Sequence, residues 1–181
     1  MSEILDRAAM IAAFDKLASE LSRRGLRCDM FVVGGAAMAL VYAQEKRTRD
    51  IDAVFSDPGT VYEAARTVAR CIGLPRDWLN DAVRSYLLGP DAESRPVYER
   101  PSLQIAVASP RYLLVMKLLA ARVEQDTEDI RMLYEICGYT SAGEGVQLLR
   151  HYIPDTAIPD HTLELLTQMF GTSSNSSPPA P

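Results

Sequence analysis

From Leu5 to Leu21 apolar residues recur at intervals of three and four (Leu5, Ala9, Ile11 or Ala12, Leu17, Leu21), and Gly25 follows. That pattern predicts an amphipathic opening helix stopped by a glycine. The period then changes. Met30 to Val33 is a short apolar β-run that breaks at Gly34-Gly35, and the "AAMALVYAQ" after it has the composition of a tightly packed helix. A polar stretch, "EKRTR", leads to "DIDAVF", where acidic and apolar residues alternate as in a strand with one chemically special face. Asp57-Pro58 reads as an N-cap followed by proline at the first helical position, opening a helix through about Cys71.

Trp78, Leu79, Val83 and Leu87 predict a further helix within residues 75–88, whereas "LLGPDAESRPVYERP" is rich in turn residues and gives no defined element. A strand from Leu103 to Val107 follows. Ser109-Pro110 repeats the cap-plus-proline start and introduces the helix "RYLLVMKLLAAR"; a second helix runs from about Thr127 to Cys137 and stops at Gly138. Ser141 and Glu144 stand at capping-box spacing, and "DHTLELLTQMF" makes a last short helix before Gly171. The tail "TSSNSSPPAP" has the composition of a disordered segment. The order predicts an α+β chain: a small mixed sheet with its opening helix in residues 1–108, a helical portion in 109–171 and a tail in 172–181.

With 181 residues the chain is long enough for one sizeable core. Nineteen Lys and Arg against 24 Asp and Glu leave a net charge of -5, so any contact with a polyanion must be local. Cys28, Cys71 and Cys137 are odd in number and widely spaced, which predicts buried thiols in a reducing cytoplasm. No Cys/His metal pattern exists, and no apolar run is long enough for a membrane span.

The chemistry concentrates around Asp50 and Asp52. Residues i and i+2 on a strand share a face, so the two carboxylates project side by side while Ile51 turns into the core. Such a pair repels itself and calls for a cation; its hard oxygens suit Mg²⁺ or Mn²⁺, ions that serve phosphoryl displacement. Gly34-Gly35 supplies the other half, a turn without side chains through which a triphosphate can approach backbone N–H groups. Each signal alone has a bland alternative, a simple turn or a solvated acidic pair. In the order strand, Gly-Gly, helix, basic linker, D-x-D strand they become fairly specific.

These residues resemble the nucleotidyltransferase fold related to DNA polymerase β, whose signature is a Gly-Gly or Gly-Ser turn followed downstream by D-x-D. "RTRDID" after "VVGGAAMAL", and later "SPRYLLVMKLLAARVEQDTEDIRML", resemble more narrowly the AbiEii and MenT group of toxin nucleotidyltransferases. The resemblance spans roughly residues 30–137. It implies a nucleotidyltransferase core whose site is completed by a helix lysine and a following segment with an arginine and acids, matched here by Lys117, Arg122, Asp126 and Asp129.

Lys117 lies among Leu, Val, Met and Ala, where an ammonium needs a partner or a phosphate, or else snorkels to the surface. On one continuous helix Asp129 would stand roughly 120° from Lys117 and Asp126 about 180°, so neither shares its face unless the helix breaks. Asp126 or Thr127 as an N-cap would supply that break, which makes Asp129 the functional candidate and Asp126 structural. Arg47 and Arg49 flank the D-x-D and either meet phosphates or an RNA backbone or form a solvated basic loop. Many members of the wider fold carry a third carboxylate on a strand beside D-x-D, whereas "SLQIAVAS" offers Gln104, Ala106 and Ala108 and no acid.

The expected activity is transfer of a nucleoside monophosphate from ATP or another NTP to an acceptor hydroxyl, with release of pyrophosphate. Asp50 and Asp52 would hold Mg²⁺ or Mn²⁺, while Gly34, Gly35, Arg47, Arg49, Lys117 and Arg122 would receive the nucleotide. The toxin resemblance implies the 3′ end of tRNA as acceptor and a cognate antitoxin protein as partner. The alternatives are an aminoglycoside-type small-molecule acceptor, a protein hydroxyl, or a non-catalytic nucleotide-binding module.

Overall fold

The computed structural model describes residues 4–120 and 123–171, without the side chains of 123–125; the predicted tail 172–181 and Arg122 lie outside the described residues. The chain divides into two compact units with the boundary between Ser109 and Pro110.

The first unit opens with α1 (Arg7–Arg23), whose buried stripe Met10, Phe14, Leu17 and Leu21 follows the expected period. It starts later than Leu5 because Asp6 is the N-cap, its carboxylate accepting the Ala9 N–H at 2.8 Å. Leu5 serves a different purpose. Its backbone pairs with Thr48 through N–H to carbonyl bonds of 2.7 and 2.9 Å, which tethers the basic linker ahead of the D-x-D.

The sheet comprises β1 (Cys28–Val32), β2 (Ile51–Phe55), β3 (Leu79–Asn80), β4 (Arg95–Arg100) and β5 (Leu103–Val107), in the order β3-β2-β1-β5-β4. It is mixed: β1 runs antiparallel to β2 and parallel to β5, β2 is parallel to β3, and β4 is antiparallel to β5. The three central strands alternate strictly. Cys28, Met30 and Val32, Ile51, Ala53 and Phe55, and Leu103, Ile105 and Val107 are all buried, while Asp29, Phe31, Asp52, Val54, Gln104 and Ala106 share the less buried face. After β1, α2 (Gly34–Ala37) continues as a wider π-helical turn through Met38–Tyr42, and Ala36 to Leu40 are buried throughout. Then α3 (Pro58–Ile72) packs against α1, capped by Asp57 as its sequence predicted.

Two segments depart from the sequence reading. Residues 75–88 are not a helix but the short strand β3 followed by a 3₁₀ turn from Ala82 to Tyr86. Trp78 is fully buried, its indole N–H held by the Ala65 carbonyl at 3.0 Å, and its own carbonyl accepts the Ile51 N–H at 2.7 Å. Pairing with β2 outweighs the weak helical spacing of a segment already poor in helix formers (Pro75, Asp77, Asn80, Asp81). The turn-rich segment before Leu103 holds a full strand, β4, with a bulge between Pro96 and Tyr98. The thiols also differ from expectation. Cys28 is buried, and that burial pushes its pKa up to about 11, but Cys71 is exposed and Cys137 half-buried.

The second unit contains α4 (Pro110–Ala120), α5 (Val123–Cys137), α6 (Ala142–Tyr152) and α7 (Asp160–Phe170). Helix α4 packs on α5 and on α6, and α6 on α7. Glu144 accepts the backbone N–H groups of Thr140 (2.8 Å) and Ser141 (2.9 Å) as the predicted capping box requires, and these bonds hold its carboxyl below the usual range. The Thr162 hydroxyl donates to the Leu118 carbonyl at 2.9 Å inside the core.

Tyr134 stacks on Phe170 with ring centroids 3.6 Å apart, and its buried hydroxyl lies against Gly145 of α6. A methyl at Gly145 would overlap that oxygen. Gly145→Ala is therefore expected to cost about 1–3 kcal/mol in urea unfolding, and Tyr134→Phe in the same chain to restore most of it.

Candidate active site

The Gly-Gly turn and the D-x-D strand are locked together. The Val33 N–H donates to the Asp52 carbonyl at 3.0 Å, so the turn begins directly beside Asp52. Gly34 has φ +63°, and a Cβ there would stand 3.3 Å from Asp52 Oδ2. A Cβ on Gly35 would stand 3.2 Å from Thr48 Oγ1. Two polar side chains thus close onto the two glycines, which explains why both positions lack a side chain. Gly34→Ala should destabilise the protein by about 1–2 kcal/mol through the left-handed backbone alone and displace the Asp52 carboxylate; a denaturant melt reads the first effect.

Thr48 is itself fixed: its backbone pairs with Leu5, and its hydroxyl donates to the Asp50 carbonyl at 3.0 Å. Asp50, one residue ahead of β2, accepts from Asn80 Nδ2 at 3.0 Å. Asn80 also stands opposite Asp52 in the β2–β3 ladder. Asp50 and Asp52 are half-buried and Ile51 between them is fully buried, the arrangement that strand alternation predicted.

This donor set fits a hard divalent cation: two carboxylates on one strand end, one of them cradled over a glycine, with an amide orienting the other. Among the described residues no three or more His, Cys, Asp or Glu gather as a metal cage. A Mg²⁺ ion held by two carboxylates would keep its other positions for substrate oxygens and water.

The strand bearing Gln104 does not lie beside D-x-D, contrary to the sequence reading. β5 borders β1 and β4, with Gln104 opposite Asp29 and Glu99, and β2 is flanked by β1 and β3. The residue next to Asp52 on its far side is Asn80, an amide. Sequence reasoning missed both Asn80 and Thr48. The cluster Asp77, Asn80, Asp81 in a supposed helix was the available signal for Asn80; Thr48 had none beyond its place before the D-x-D.

In the second unit Lys117 Nζ pairs with Asp126 Oδ1 at 2.6 Å and with Asp129 Oδ2 at 2.8 Å. The three side chains are 12%, 15% and 8% exposed respectively. Helices α4 and α5 pack against each other, and both acids reach the ammonium. Asp126 is not an N-cap, because α5 begins at Val123; it lies one turn before Asp129 on the same helix face. Arg47 and Arg49 are exposed in the linker.

The family model described as "Nucleotidyltransferase of unknown function (DUF6036)" matches residues 9–136, which take in the Gly-Gly turn, the D-x-D strand and the Lys117 cluster. No curated protein and no solved structure matches the chain. The match covers well over half of the chain, and the protein belongs to this nucleotidyltransferase family, DUF6036.

Proposed function

We propose that the protein is a metal-dependent nucleotidyltransferase that moves a nucleoside monophosphate from an NTP to the 3′ end of tRNA, as the toxin of a toxin–antitoxin pair. The observation that carries the chemistry is the seat of Asp52 Oδ2 over Gly34, which builds a paired-carboxylate site against a turn with no side chain. Asp50 and Asp52 would hold Mg²⁺ or Mn²⁺, and such an ion supplies the charge neutralisation that in-line attack at the α-phosphorus needs. Asn80 keeps the Asp50 carboxylate turned to one orientation. As the acceptor oxygen bonds to phosphorus, the bond to pyrophosphate breaks and the hydroxyl proton is released.

Exposure of Arg47 and Arg49 supports a local contact with the RNA backbone despite the net charge of -5. The test is transfer of label from each NTP to total RNA with and without Mg²⁺, set against Asp50→Ala. Label on protein or on a small molecule would move the acceptor, and no transfer under any condition would leave only a nucleotide-binding module.

A further inference from the structure

The less buried face of the sheet continues past Asp52. Register sets Val54 beside Phe31 and Phe31 beside Ala106, with Asp29 in the next row of that face. Phe31, Val54 and Ala106 floor a cleft of about 670 Å³ whose sides include Leu87 and Pro90 and whose lining includes Asp29. That volume is within the roughly 300–1,000 Å³ of small-ligand sites.

The charges of the lining are mostly engaged. Arg84 donates to Asp81 at 3.2 Å and to the Phe55 carbonyl at 2.9 Å. Asp91 accepts from the Ser109 N–H at 2.7 Å and from its hydroxyl at 3.0 Å. The Asp29 carboxylate has no ion pair or side-chain hydrogen bond among the described residues. The cleft thus presents an apolar floor and wall with one available anionic acceptor, and its cation is already engaged. A flat ring bearing an N–H donor satisfies that chemistry; a phosphate inside the cleft does not. Asp29 is four residues from Val33, whose N–H meets Asp52, which is about 13 Å at the rise of a strand. A ligand reaching from one to the other has the extent of a nucleoside with its phosphate.

We propose that this cleft is a nucleobase subsite: a base with an exocyclic amine lies on Phe31 and Val54 and donates that amine to Asp29. The proposal rests on the nucleotidyl-transfer reading, which places the reacting phosphate at the Asp52 end. The base belongs to the incoming NTP or to the terminal nucleotide of the acceptor, which share this chemistry.

Adenosine and purine riboside, which lacks only the amine, are titrated into the whole protein without divalent cation. Wild type should bind adenosine about 10-fold or more tightly than purine riboside, as expected for a hydrogen bond to a charged group. Asp29→Ala, at an exposed position, should keep its melting temperature and lose that preference, with Asp29→Asn between the two. Asp52→Ala should keep the preference, which separates the two readings. Loss of transfer with the preference intact sinks the transfer reading alone, and transfer with no preference sinks the subsite alone. Displacement of adenosine by ATP with Mg²⁺ assigns the base to the donor, and simultaneous binding assigns it to the acceptor. Equal affinity for the two nucleosides, a preference unchanged in Asp29→Ala, or no binding of either overturns the proposal.

Discussion

On the proposed transfer activity, Asp52→Asn is expected to lower NTP-dependent transfer by at least about 100- to 1,000-fold, the scale on which a single group facing the developing charge contributes. The amide keeps the shape of the carboxylate and its seat over Gly34, so the loss falls on charge and not on folding. The distinguishing measurement is thermal melting with increasing Mg²⁺. Binding to the folded state alone raises the wild-type midpoint, whereas Asp52→Asn should show little shift. Asn80→Ala should fall between the two, since loss of a group orienting a ligand costs about 10- to 100-fold in metal affinity or activity. Equal melting shifts in wild type and Asp52→Asn would remove the metal from this pair of carboxylates.

The local geometry at the centre of this candidate site was legible because its residues carry short-range signals. Gly34-Gly35 interrupts an apolar run, Asp57-Pro58 and Ser109-Pro110 mark helix starts, and D-x-D alternates with Ile51 and Ala53. Each reflects a local constraint: a positive φ, a cap, or a pleat. What escaped were partnerships between distant segments. Asn80 meets Asp50 across a separation of 30 residues, and Leu5 pairs with Thr48 over a longer one, with no periodicity to announce either. β3 is two residues long, too short for alternation to register, and its strand character comes from β2 beside it. The helical reading of residues 75–88 failed because Trp78, Leu79, Val83 and Leu87 suit a helix face, although burial fixes Trp78 and Leu79 and Leu87 lines the cleft. The Lys117 cluster was half legible. That the ammonium needed an anion followed from its apolar neighbours; that it would take both Asp126 and Asp129 depended on how α5 lies against α4.

Lys117→Met should destabilise the protein by about 3–5 kcal/mol, the cost of leaving buried charge without its partner. The methionine fills nearly the same volume, so packing changes little and the penalty is electrostatic. Two carboxylates on one face of α5, 8% and 15% exposed, would then lose the ammonium they share. The order of effects follows from burial. Asp129→Asn, at the more buried acid, should cost more than Asp126→Asn, which leaves the Lys117–Asp129 pair at 2.8 Å in place. Combining Lys117→Met with Asp126→Asn and Asp129→Asn should recover much of the stability lost by the single lysine variant, since no buried charge is then left alone. Urea unfolding of the four variants measures the series. A Lys117→Met chain as stable as wild type would mean that water already reaches this cluster, and that its ion pairs contribute no more than those on a surface.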